Sequence, residues 1–293
     1  MSAPSVVALG GGHGLAATLR AVRRYAGSVT AVVSVADDGG SSGRLRNERN
    51  LPPPGDIRKC LVALAEDDSP WAPAFEHRFR GGTLDGHALG NLVIAGLTET
   101  LGDFGRAVHE AARLLGVQGE VIPATVEPVV LKADVEGRSV EGQVAVAGSS
   151  GRIGRVAIIP ADVGAHAQAV QAIVEADQVL LAPGSLFTSL LPVVCVPELR
   201  DAMRAAGGRV VQICNLRPQI PETEGLTGAD HLRAVLEHGG RVDAFLYDPA
   251  GRLDVDAGAV ADLGAEPVAA PLGDRDAAAH DPELLAAALG SLP

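Results

Sequence analysis

Lysine is nearly missing from this chain. Of 24 basic residues only Lys59 and Lys132 are lysines, and 36 acidic residues outweigh them for a net charge of −12. An acidic chain without a basic footprint argues against a nucleic-acid partner. Aromatic residues are scarce, at 3%, so the helices are expected to pack closely on a sheet through Ala and Gly. The three cysteines, Cys60, Cys195 and Cys214, form no CxxC pair, which excludes a disulfide framework and a zinc site. The most apolar segment, 179–196, is broken by Pro183, Gly184 and Pro192, so it cannot span a membrane. The opening MSAPSVVALGGG has neither the basic n-region nor the apolar core of a signal peptide. The expectation is a soluble, cytoplasmic protein with no membrane partner.

What is present is an α/β pattern. At 293 residues and 47% hydrophobic, the chain suits a large core. SVVAL (5–9) is a β-branched apolar run, GGGHG (10–14) a turn, and LAATLRAVRRYA (15–26) carries apolar residues at helical spacing. SVTAVVSVA (28–36) follows as a second strand, which completes a βαβ unit and implies a parallel sheet. A mostly helical stretch then runs to Leu115, with Asp103 as an N-cap and Gly116 as a stop. Strands turning at Glu136-Gly137 read as a hairpin. RVAIIP, QVLLAPGS and RVVQICNL read as buried parallel strands, and RVDAFLYDP as the last one. HDPELLAAALG reads as a capped helix, with Asp281 ahead of Pro282. The prediction is one α/β domain over 1–293, with a helical insertion at about 56–116 and a hairpin region at about 119–147.

Four polar stretches follow strands, and in an open α/β sheet they share the ligand-binding edge. Gly11, Gly12 and His13 lie in the first, where glycines let a phosphate approach the backbone at a helix start. The turn is neither a well-formed GxGxxG nor a P-loop, and a tight turn requiring positive φ explains the glycines equally simply. Asp37-Asp38-Gly-Gly-Ser41-Ser42-Gly-Arg44 is more specific. Its serines and arginine suit phosphate oxygens, and its carboxylates suit Mg²⁺ or sugar hydroxyls. The competing explanation, an Asp-Gly hairpin turn, lacks a returning strand. PPPGD brings Asp56 to a helix start, where it could equally be a plain N-cap, and Arg58 in that first turn suits a facing anion. His87 and Asn91 lie four apart on one helical face. Gly184, Ser185 and Thr188 open a second candidate anion cradle, and Asn215 ends a strand where it could read a base or sugar. No HExxH or Ser-His-Asp order marks a nucleophile.

Six motifs in order, GGGHG, SVADDGGSSGRLR, LPPPGDIRKCLVAL, GHALGNL, APGSLFTSLLP and CNLRPQIPETEG, resemble the gluconeogenesis factor family. That family belongs to the CofD-like proteins related to 2-phospho-L-lactate transferase. The resemblance implies a three-layer, Rossmann-like fold. It implies a UDP-glucose or UDP-N-acetylglucosamine ligand and a cytoplasmic regulatory role linking carbon metabolism to cell-wall synthesis and cell shape. No required cofactor and no firm enzymatic activity come with that branch. The transferase branch implies an alternative, Mg²⁺-dependent transfer of a phosphate-linked group, with Asp38 and Asp56 as metal ligands. No motif supports or excludes a homodimer. His13 stands where the family usually has Thr, which places a titratable ring at the phosphate turn.

Overall fold

The computed structural model describes residues 3–125, 127–274 and 277–292. Strand β1 (Ser5–Gly10) and strand β2 (Ser28–Val33) pair in parallel, Leu9 opposite Val32. Helix α1 (Gly12–Val22) joins them and buries Leu15, Leu19 and Val22, the apolar stripe read from the sequence. Five helices follow before strand β3 (Glu120–Pro123): α2 (Gly40–Arg49), α3 (Gly55–Leu64), α4 (Trp71–Glu76), α5 (Leu89–Leu101) and α6 (Phe104–Leu115). The Asp103 side chain caps α6 by accepting the Arg106 N–H at 2.7 Å, and Gly116 ends it at φ 62.

The helical stretch begins at Gly40, earlier than position 56, because GSSGRLRNER itself folds as α2. Its sequence has no apolar stripe. The helix is instead held by the burial of Ser41, Ser42, Gly43 and Leu45.

Strands β4 (Val130–Val135) and β5 (Arg138–Glu141) form the hairpin across Glu136-Gly137, both at positive φ. β3, in contrast, pairs in parallel with β2 and stands outside that hairpin. Strand β6 (Ile153–Ile159) pairs antiparallel with the other edge of β4. This corrects the assignment of RVAIIP to the parallel sheet. Val156 and Ile158 are buried while Arg155, Ala157 and Ile159 are exposed, the alternation of a sheet covered on one face.

Strands β7 (Gln178–Leu181), β8 (Arg209–Ile213), β9 (Ala244–Tyr247) and β10 (Glu266–Ala269) complete a seven-stranded parallel sheet ordered β10-β9-β8-β7-β1-β2-β3. β10 lies beyond the last strand expected. EPVA is short, holds a proline and is largely exposed, which suits an edge and leaves little pattern to read. All four residues of β7 are buried, as are five of the six in β1. Helix α1 packs on α3 and on helix Pro282–Gly290; helix Pro197–Ala205 packs on Ala167–Glu175. Right-handed crossovers in opposite directions place these groups on opposite faces, making a three-layer, Rossmann-like fold. The strand order reverses between β1 and β7, and the crevice opens beyond their carboxyl ends. Among the described residues no helix is long and apolar enough to cross a membrane.

Candidate functional site

A cleft of about 780 Å³ occupies that switch point. Gly11, the N-cap of α1, supplies no side-chain cap, so first-turn N–H groups of α1 are left for a partner. Gly11 to Gly14 all line the cleft. Two of these glycines are dictated by contact. A Cβ on Gly14 would lie 1.8 Å from the Pro183 carbonyl oxygen, and one on Gly11 would lie 2.5 Å from Asp56 Oδ2. The two post-strand turns therefore touch backbone to backbone, with Asp56 pressed beneath the first.

Asp56 enters from the first turn of α3 and accepts from Lys59 Nζ at 3.0 Å. Asp37 lines the same wall. Burial pushes its carboxyl above the usual carboxylate range and the Asp56 charge adds to the rise, against hydrogen bonds from the Gly39 N–H and the Ser42 hydroxyl. His13 stands exposed in the cleft. Lys59 is the largest influence holding its imidazole below the ordinary value, followed by partial burial.

Several expected residues are brought together behind this wall rather than in it. Ser41 Oγ lies 3.0 Å from His87 Nδ1 and accepts from Asn91 Nδ2 at 3.1 Å. Arg58 Nε donates to Asn91 Oδ1 at 3.0 Å, and Arg58 also pairs with the Glu76 carboxylate. The anion facing that first-turn arginine is thus the protein's own glutamate. His87 is held below its ordinary value, first by burial and then by Arg44. Arg44 donates to the Asp85 carbonyl at 2.7 Å. This buried network fastens α2 and α5 to α3.

Asp38 has a different partner from Asp37. Its two oxygens accept the N–H groups of Gln143 and Val144, each at 2.9 Å, at the start of the short helix Gln143–Ala147. The carboxylates meeting in the cleft are therefore Asp37 and Asp56. Among the described residues no group of three or more His, Cys, Asp or Glu side chains is placed to hold a metal.

The turn after β7 is held from below. Asn215 exchanges two hydrogen bonds with the Gly184 backbone, at 2.8 and 2.9 Å. Ser185 Oγ accepts from Gln219 Nε2 at 2.6 Å. The amide of Thr188, read as part of a second anion cradle, and that of Phe187 both donate to the buried Glu222 carboxylate. Gly184, Ser185 and Asn215 line the cleft, whereas Thr188 is buried beneath it.

Lys59, Gln143, Ser189, Arg217, Gln219, Arg252 and His280 also line the cleft and were not singled out from sequence. Lys59 had a signal, since it stands three residues from Asp56 on the same helical face. Arg252 follows β9 in a loop with no motif of its own, and His280 follows β10 at the head of HDPELLAAALG, a stretch that reads only as a capped helix.

Fold and cleft together define a class, the Rossmann-like α/β proteins with a glycine-turn site at the sheet's switch point. The chain belongs to the CofD family: residues 6–271 match the family described as 2-phospho-L-lactate transferase CofD. Within that family it is a homologue of the gluconeogenesis factors. It is 43% identical over 242 residues to the gluconeogenesis factor of Halalkalibacterium halodurans, covering 82% of this chain and 75% of that protein. It is 44% identical over 239 residues to the gluconeogenesis factor of Bacillus subtilis, covering 81% and 75%. A crystal structure of a UPF0052-family protein from Bacillus halodurans superposes with a TM-score of 0.94 at 37% identity, covering 99% of each chain.

Proposed function

We propose that the cleft binds a nucleotide diphosphate sugar, UDP-glucose or UDP-N-acetylglucosamine, and that the protein acts as a cytoplasmic regulatory sensor of that ligand. The observation that carries this reading is the uncapped start of α1, opening into a cleft that also holds Lys59, Asp37 and Asp56. The diphosphate would take the α1 amides and the Lys59 ammonium. Asp37 and Asp56 would accept from sugar hydroxyls. Where Mg²⁺ accompanies the nucleotide, the same two carboxylates would hold it, since that ion completes its shell with phosphate oxygens and water. The gluconeogenesis-factor relatives support a link to central carbon metabolism, which on this reading extends to cell-wall synthesis and cell shape.

Calorimetry with UDP-N-acetylglucosamine, with and without Mg²⁺, tests the reading. Saturable heat is expected, and folded protein that gives none at millimolar ligand overturns it. A second reading, Mg²⁺-dependent transfer of a phosphate-linked group, is favoured by the Asp37 carboxyl held above its usual range beside a second carboxylate. Under that reading Asp56→Asn abolishes turnover of a nucleotide diphosphate donor with a deazaflavin acceptor. Under the sensor reading no turnover occurs, and Asp56→Asn changes UDP-sugar affinity only modestly.

A further inference from the structure

The chain leaving β8 runs from Asn215 to Glu222 against the turn Pro183–Ser189, and three of its side chains grip successive residues there. Asn215 holds Gly184, Gln219 holds Ser185, and Glu222 holds Phe187 and Thr188. The gripping segment is itself braced: Gln219 N–H donates to Thr223 Oγ1 at 2.8 Å, and Thr223 N–H donates to the Gln219 carbonyl at 2.7 Å.

Glu222 is the anchor of this arrangement. Its Oε1 accepts the Phe187 N–H at 2.7 Å and the Thr188 N–H at 3.2 Å. Its Oε2 accepts the Thr188 hydroxyl at 3.2 Å. The residue is 4% exposed, and no cation lies within ion-pairing distance of it among the described residues. Burial pushes its carboxyl above the usual range. A buried carboxylate without a counter-charge costs free energy unless its hydrogen bonds compensate. One oxygen takes both amides, and the Ser185 hydroxyl also donates to the carboxylate, so a carboxamide keeps the two amide bonds through its oxygen. Holding the two amides therefore calls for an acceptor of that shape and position rather than for a negative charge.

The gripped turn has a working side. Gly184, Ser185 and Ser189 line the cleft, and Pro183 abuts Gly14 at the start of α1. A turn that shifts moves the wall against which α1 presents its amides. Glu222 itself does not line the cleft.

We infer that Glu222 is a positioning residue, which fixes the Pro183–Ser189 wall of the anion-binding cleft by accepting the Phe187 and Thr188 amides and never touches the ligand. The affinity consequence rests on the nucleotide-sugar reading of the cleft; the positioning itself does not.

The test measures amide hydrogen exchange of segment 183–190 and UDP-glucose affinity in wild type, Glu222→Ala, Glu222→Gln and Thr188→Val. Glu222→Ala should lose protection in that segment and about tenfold in affinity, since two buried amides lose their acceptor. Glu222→Gln should retain both. Unchanged protection in Glu222→Ala overturns the inference. So does a Glu222→Gln protein that loses affinity while its segment 183–190 stays protected, because the charge would then be the requirement. If Glu222→Ala does not fold, Thr188→Val removes one arm alone, and partial loss of protection confined to 183–190 is expected; its absence overturns the inference. If wild type gives no heat with UDP-glucose, the ligand reading fails and the exchange measurement alone decides the positioning role.

Discussion

His13 shows what a single residue does at this site. It occupies a cleft position beside a free helix start, and Lys59 and partial burial hold its imidazole below the ordinary value of 6.5. It therefore takes up its proton at lower pH than an unperturbed imidazole, while the nearby Asp56 pulls in the opposite direction. A protonated His13 adds positive charge beside a bound diphosphate. UDP-glucose affinity is thus expected to rise between pH 7.5 and 5.5, and His13→Thr should flatten that rise. Calorimetry at the two pH values checks this; equal slopes in both proteins would remove His13 from ligand contact. The glycines of the same turn, the paired motif loops and Asp56 were all readable residue by residue, because their chemistry is local. The choice between Asp37 and Asp38 was not readable. Neighbouring side chains diverge, and Asp38 finds its partners at Gln143 and Val144, more than a hundred positions along the chain.

At the scale of elements, Asp38 makes a junction between the loop after β2 and the short helix Gln143–Ala147. Gln143 lines the cleft, so this cap also sets one of its edges. Asp38→Ala removes both capping bonds and should cost about 1 kcal/mol of stability, read as a lower urea midpoint. The loss of UDP-sugar affinity should be smaller than for Lys59→Met, which removes a cation from the cleft itself. A larger affinity loss in Asp38→Ala would restore Asp38 as a ligand contact. Elements with strong periodicity, such as α1 and α6, were legible because one apolar face repeats along the helix. α2 and β10 were not: the first is held by a buried polar network, and the second is a short, exposed edge. The sequence pattern of β6 does not tell its sheet, because a short apolar run reads alike in a parallel and an antiparallel setting.

The whole molecule is organised around its central strands. Leu9 is fully buried in β1, between Val32 of β2 and Leu181 of β7, directly below the cleft. Leu9→Ala should destabilise the protein by about 3 kcal/mol, measured by urea unfolding. The same truncation at Val268, half-buried on the edge strand β10, should cost clearly less. Comparable losses would mean that the edge strand shares the core's load.

The amino-acid sequence by itself determined the alternation of strand, glycine turn and helix, because periodicity and turn chemistry act over a few neighbouring residues. It also determined that polar turns would gather beyond the strand ends, since a parallel sheet leaves them no other edge. Only the tertiary structure decided which groups face the cleft. It turned Arg58 toward Glu76, gave two amides of the second turn to Glu222, and brought Arg252 and His280 in from distant loops. Each of those pairings joins residues many positions apart, and a buried polar group takes whichever partner the packed chain brings within reach.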